Sequence, residues 1–394
     1  MPKSRGRKKK TTPPRPGRPG LTPQQRRMLD LMAAADAAEA RGDAAAALEV
    51  MCRETMDDNG RLFWRPWRIS RLDQLITLEP LLPRWAISRW ILEQATQALD
   101  PAMRCGHAAA RAVAIELRGG RAALPGIDER DAMARIIESD WVYRQLVLYD
   151  HGGLASFLRR LAAGDLVAGA DRIHDWVGVP MRAFRFERRE PTVLHWTDLT
   201  TGEPVTVPNL GAAALVLPGE HVIGRLVPTA EGRMFEGIPL GVPAEVAAAV
   251  AEGAGDWVGA LRRQAADHPD ELATTIVRGN QLVTDVPDLV WRHVVLDSAG
   301  DWDPRSDGWE VFVEGAIGLV RAAMTGGLES RDSDELLDPW PCLGAVLCHP
   351  PTLERLWREF GPADAPGLLA LAERIFGPGG AVCRELAATA LAAA

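Results

Sequence analysis

The sequence predicts an α+β fold, mainly helical, with a small antiparallel β-sheet or half-open barrel inserted at about residues 182–243. Three observations carry this. Apolar residues recur at helical spacing before residue 170 and again after residue 243. Between those stretches the period changes to two, and turn residues separate short runs. The chain has 394 residues, 47% apolar and 25% charged, which is a globular composition with enough apolar surface for a large core. The expected organisation is a basic tail (1–20), a helical domain (21–170), a β domain (171–243) and a second helical domain (244–394).

Thr22-Pro23 is a helix start, with Thr as N-cap and Pro at the first helical position. Met28, Leu31, Met32 and Ala35 follow at helical spacing, up to Arg41-Gly42. Asp43 caps a second helix expected to reach about Asp57. Prolines 66, 80 and 83 divide a Trp-rich block that holds Phe63, Trp64, Trp67, Trp85 and Trp90. Ile69 to Leu78 and Trp85 to Leu99 fit helices there. Residues 101–118, 128–150 and 154–170 also read as helical.

In the β segment Phe184 and Phe186 alternate with Arg185 and Glu187, and Val193 to Leu199 forms a second run. Thr200-Thr201-Gly202-Glu203 reads as the turn between hairpin strands. Further strands are expected at Val205–Val207, Leu215–Leu217, His221–Val227 and Met234–Ile238. Pro243 opens a helix with Val246, Val250, Trp257 and Leu261 in its apolar stripe. Helices are then expected within 270–296, at 311–324, 351–361 and 366–376, and from Ala381 to the end; residues 326–341 read as loop.

Ala35, Gly42-Asp43 and Ala47-Leu48 stand at the spacing of a tetratricopeptide unit, and residues 25–58 resemble one such helical hairpin. The resemblance implies close approach of two helices through small side chains. Ala44 stands where that motif has an aromatic residue, and no second copy follows. A solenoid needs several stacked units, so a single hairpin is expected.

All four lysines lie in the first ten residues. Lys3, Arg5, Arg7, Lys8, Lys9, Lys10, Arg15 and Arg18 make residues 1–20 strongly basic, with no acid among them. The whole chain carries −8, so the body is near −16. Such a tail suits contact with a polyanion such as RNA or DNA. It contains no aromatic residue to stack on bases, so sequence-specific reading is not expected. Five prolines and three glycines in the same segment favour disorder. Five scattered cysteines without a CxxC pair, no apolar leader and no long apolar run point to a cytoplasmic protein with no membrane span.

Chemical motifs are sparse. Walker, GxSxG and HExxH patterns are absent. Gly253, Gly255 and Gly259 miss the dinucleotide spacing by one residue. Cys342, Cys348 and His349, with His293, contain zinc-binding residue types, but their spacing is loose and no metal is expected. Asp297, Asp301, Asp303, Asp307 and Glu310 cluster, yet Ser306 stands where an EF-hand loop needs Gly and Arg305 fills a ligand position, so a solvated loop is expected. Trp64-Arg65-Pro66-Trp67-Arg68 can build a stacking surface or a core cluster; neighbouring Trp85 and Trp90 favour the core. His195, Asp198, His221 and Glu236 are the candidate acid–base residues of the β segment. Strand alternation puts His195 and Asp198 on opposite faces. The expected function is a non-enzymatic interaction or adaptor protein, with a polyanion on its tail, a protein partner on its helical surface and no cofactor. The alternative is an enzyme with a site around those four residues.

Overall fold

The computed structural model describes residues 22–56, 62–98, 104–120, 136–137, 140–253, 255–267, 282–298, 309–328 and 338–392. The architecture is α+β, with helices on both sides of a small antiparallel sheet in the chain order.

Helix α1 (Pro23–Ala40) begins with a capping box: Thr22 accepts from the Gln25 amide, and Gln25 reaches back to the Thr22 N–H. Asp43 caps α2 (Ala44–Cys52) through the Ala46 amide. The second helix is therefore shorter than expected. Thr55 O accepts from Phe63 N–H at 2.8 Å, so the chain has already turned back. Ala35, Ala38 and Ala47 are buried where the two helices pack, and Gly42 joins them at φ +82°.

Helices α3 (Pro66–Leu78) and α4 (Arg84–Gln97) hold the Trp-rich block. Trp64, Trp85 and Trp90 are core residues. Trp64 Nε1 donates to Glu54 O and Trp90 Nε1 to Glu39 Oε2, at 2.8 and 3.1 Å. Buried indoles need such acceptors. Eleven of the fourteen residues of α4 are buried, so even its polar side chains face other elements. Ser88 exchanges hydrogen bonds with the Asp171 backbone, and Glu93 pairs with Arg71.

Next come α5 (Arg104–Leu117), α6 (Trp141–Gln145), α7 (Gly153–Arg160), α8 (Gly164–Gly169) and α9 (Ile173–Trp176). Asp140 caps α6 by accepting from Tyr143 N–H, so the helix expected over 128–150 starts anew here. A π-helical turn, Leu146–Asp150, continues it. The single helix expected over 154–170 is two, separated by Leu161–Ala163.

The five-stranded sheet has the order β3-β2-β1-β4-β7, entirely antiparallel: β1 (Arg182–Arg189), β2 (Val193–Asp198), β3 (Pro204–Pro208), β4 (His221–Gly224) and β7 (Leu240–Val242). β5 (Leu226–Thr229) and β6 (Gly232–Phe235) form a separate hairpin. Gly202, at φ +74°, makes the tight turn between β2 and β3.

Three strand expectations fail in whole or in part. Leu215–Leu217 is a turn region, not a strand; it follows Gly211, whose φ is +101° and where a Cβ would come within 2.4 Å of Val286. His221–Val227 is divided by Arg225 into strands of different sheets. Glu236 lies just beyond β6, outside the strand expected for it.

One sheet face is filled by Phe184, Phe186, Leu194, Trp196, Val207 and Val222, with Phe235 from the hairpin. Each such burial contributes about 1.5–3 kcal/mol. On the other face Ala183, Ile223 and Leu240 lie under α10 (Ala244–Glu252) and α11 (Trp257–Asp267). The stripe expected from Val246 to Leu261 thus spans two helices, broken at Gly253.

The remaining helices are α12 (Asp288–Ser298), α13 (Trp309–Met324), α14 (Pro339–Leu347), α15 (Pro350–Glu359), α16 (Ala365–Ala372) and α17 (Pro378–Ala392). Helix α14 begins in the stretch expected to be loop. Asp338 caps it through the Trp340 amide, and Pro339 occupies its first turn. Residues of α1–α4 and of α12–α17 share one continuous core.

Candidate functional site

The four candidate residues of the β segment do not converge. His195 and His221 lie on the partly open sheet face, with β1 between their strands. His195 Nε2 is 3.1 Å from Glu190 Oε1, and Nδ1 is 3.5 Å from Thr206 Oγ1. Arg185, Glu187 and Thr197 complete that polar row: Arg185 Nε and Thr197 Oγ1 both donate to Glu187 Oε1, at 2.9 and 2.6 Å. Those bonds hold the Glu187 carboxyl below its usual range, Thr197 contributing most. Asp198 is buried on the opposite face and accepts from Arg182 at 2.7 Å and from the Thr200 amide at 2.9 Å. His221 lines a groove of about 460 Å³ with Leu215, Val242, Leu261 and Gln264.

Glu236 belongs to a different assembly, a buried ionic network drawn from five parts of the chain. Arg144 Nη2 donates to Glu236 Oε2 at 3.0 Å, and Gln145 donates to Glu236 Oε1. Arg225 Nε donates to Gln145 Oε1 at 2.9 Å and its Nη2 to Asp150 Oδ2 at 2.7 Å. Arg89 of α4 donates to Phe235 O at 3.0 Å and to Asp285 Oδ1 at 2.9 Å. Arg225 also lies 4.2 Å from the centre of the Tyr149 ring. Three guanidiniums thus face three carboxylates. Burial raises the Asp285 carboxyl to about 6, against the opposing pull of Arg89. Burial also lowers the Arg89 and Arg225 guanidiniums and pushes the Tyr149 hydroxyl well above its usual range.

No family model, curated protein or solved structure matches the chain.

A carboxyl near 6 suits proton transfer at neutral pH, and a π-turn often marks functional backbone. The surroundings of Asp285 point the other way. Arg89 holds its carboxylate, only 3% of the residue is exposed, and neither the groove beside His221 nor the two clefts below include a member of the network. Structural ion-pair networks perturb titration in the same manner. The arrangement clamps α4, α6, the β5–β6 hairpin and the segment before α12 to one another.

A cleft of about 680 Å³ lies between α1, α4 and α7. Asp36, Glu39, Arg68 and Gln94 are among its lining residues. Arg68 Nε donates to Glu39 Oε1 and Nη2 to Asp36 Oδ1, both at 2.6 Å. Burial raises the Glu39 carboxyl, with Arg68 opposing it. A smaller cleft of about 320 Å³ lies between β3 and the β5–β6 hairpin, with Trp85 and Phe376 in its wall.

The other candidates resolve simply. Lys3, Arg5, Arg7, Lys8, Lys9, Lys10, Arg15 and Arg18 lie outside the described residues, as do Asp301, Asp303 and Asp307. Glu310 is exposed in the first turn of α13. Cys342 and Cys348 are buried, which pushes their thiols up and disfavours the thiolate that a metal needs. His349 meets Thr352 Oγ1 at 2.9 Å and packs against Trp291 and Phe312, while His293 is exposed. Among the described residues no His, Cys, Asp or Glu group could hold a metal ion, and no helix is long and apolar enough to cross a membrane.

Sequence reasoning missed Arg89, Arg225, Asp285 and Gln94. A signal existed for two of them: Arg225 and Asp285 each interrupt an apolar run, VIG-R-LVP and LVT-D-VP. A charge in that setting must find a buried partner.

Proposed function

We propose that this chain is a non-enzymatic cytoplasmic interaction protein whose basic N-terminal tail contacts a polyanion such as RNA or DNA without sequence specificity. The observation that carries the reading is the division of charge: eight cations and no acid in residues 1–20, against a body near −16. An acidic body repels a nucleic acid, so attraction falls to the tail. The body supports the reading in a second way. Asp198 and Glu236 are committed to arginines in separate places, and the two histidines stay on a half-open face. The helical surface is the part available to a protein partner.

The test is retention on a single-stranded RNA or duplex DNA column, full chain against a variant lacking residues 1–20. The full chain is expected to bind, with log K falling against log salt at a slope of about −0.7 to −0.9 per phosphate neutralised. The shortened chain is expected to elute in the void with unchanged thermal unfolding. Full retention of the shortened chain refutes the proposal.

A further inference from the structure

The cleft between α1, α4 and α7 contains a buried hydrogen-bond donor that no described residue satisfies. Beside its two acids, Asp36 and Glu39, α1 presents methyl groups there. Ala33, Ala37 and Ala40 recur at helical spacing and are too short to fill the space. Phe157 and Leu161 form the facing apolar wall. Gln94 is part of the same lining, 8% exposed, and its Nε2 has no hydrogen-bond partner among the described residues. An unpaired buried amide is costly, and native proteins seldom keep one without a compensating ligand or water. Arg41 stands in the same lining. It donates to its own helix at Ala37 O, 2.9 Å, and has no carboxylate partner among the described residues.

The cleft's acids are already used. Asp36 and Glu39 both hold Arg68, and Glu39 also accepts from Trp90. The unmet need is therefore on the donor side, at Gln94 and Arg41. A cationic ligand would have to compete with Arg68 for Asp36 and Glu39. A wholly apolar ligand leaves the Gln94 amide buried and unpaired.

We propose that this cleft binds a small amphiphilic carboxylate, its anionic end taken by the Gln94 amide and the Arg41 guanidinium and its apolar body laid between the Ala33–Ala37 face of α1 and Phe157–Leu161. The volume, about 680 Å³, lies within the range of small-molecule pockets. This site is independent of the basic tail.

The test is titration calorimetry of the full chain with butyrate, hexanoate, phenylacetate and 3-phenylpropionate, with hexanol and hexylamine as uncharged and cationic controls. At least one acid is expected to bind saturably, and more tightly than either control. Arg41→Ala and Gln94→Leu are each expected to weaken it about tenfold or more, the scale of a hydrogen bond to a charged group. Gln94→Leu is also expected to raise the melting temperature of the unliganded protein, because it removes the unpaired amide; Arg41 is exposed, so its variant should fold normally. The proposal is overturned if no acid saturates by about 10 mM, if hexylamine binds as well as hexanoate, or if Arg41→Ala binds with unchanged affinity.

Discussion

Two arginine–carboxylate pairs in this protein have the same length and opposite energetic meaning. Arg89–Asp285 and Arg185–Glu187 both measure 2.9 Å. The first pair's side chains are 2% and 4% exposed, the second's 46% and 37%. In water, a contact of that kind is worth little, because solvent screens it and two long side chains must be ordered. In the interior the mutual attraction is much larger, but so is the cost of stripping water from each ion. The difference teaches that a buried pair is best seen as a constraint. It adds little net stability, yet neither partner can leave alone.

The largest expected effect follows from that asymmetry. Arg89→Ala leaves Asp285 buried without its counter-charge, and should lower unfolding stability by about 3–5 kcal/mol at neutral pH. The double variant Arg89→Met/Asp285→Leu removes both charges together, and should recover most of that loss. Urea unfolding of wild type and both variants checks the pair. If the single variant is as stable as wild type, the buried region is no different from the surface.

The second effect is a pH dependence confined to the buried region. The Asp285 carboxyl is raised to about 6, above its ordinary 3.8. The folded state therefore holds this proton more tightly than the unfolded chain. Its contribution to stability is full below about 4 and is lost as pH rises through about 6. A two-unit shift corresponds to roughly 3 kcal/mol as an order of magnitude. Wild-type stability measured relative to Asp285→Asn should accordingly fall between pH 4 and 6 and level off above. A difference that stays flat across that window would place Asp285 in solvent-like surroundings.

The contrast between the two regions also explains what the sequence made legible. Local rules were enough for the helix starts at Thr22-Pro23 and Pro243, and for the Gly202 hairpin turn. They were also enough for the alternation that puts His195 outward and Asp198 inward, because each depends on residues a few positions apart. The buried network depends on residues as far apart as Arg89 and Asp285, 196 positions in sequence. No periodicity connects such a pair. Arg225 shows the same limit from the other side. Its run of apolar neighbours reads as one strand, but the guanidinium turns in to Gln145 and Asp150, and the chain breaks into two strands around it. Gln94 was invisible for a related reason. A helix buried all round has no polar face, so pattern alone gives no reason to single out one glutamine on α4.

On the open face the effects should be an order smaller. A double-mutant cycle on Arg185 and Glu187, by Arg185→Ala, Glu187→Ala and the double variant, should give a coupling of about 0.2–1 kcal/mol, and less at high salt. The bond from Thr197 and then the bond and charge of Arg185 depress Glu187. Thr197→Val and Arg185→Ala should therefore each move the Glu187 titration up. Coupling of several kcal/mol would mean that this face is covered in solution.

The smallest effect belongs to Glu190, beside His195 on the same face. Its carboxyl is held below the usual range, first by its hydrogen bond from Arg188 and then by His195. A depressed carboxyl adds stability that is present above its unfolded value and lost as pH falls through the folded one. Glu190 stands in open solvent, so water competes for each of these bonds and unfolding should not register their loss. The titration itself is the sensitive readout. In Arg188→Ala, side-chain carboxyl NMR should show Glu190 moving up toward an ordinary carboxylate, while the melting temperature stays within error of wild type. His195→Ala should move it in the same direction by less. A measurable drop in melting temperature for either variant would mean that the outer row of the sheet bears structural load, and the division between an interior of obligatory pairs and a surface of optional ones would fail at this edge.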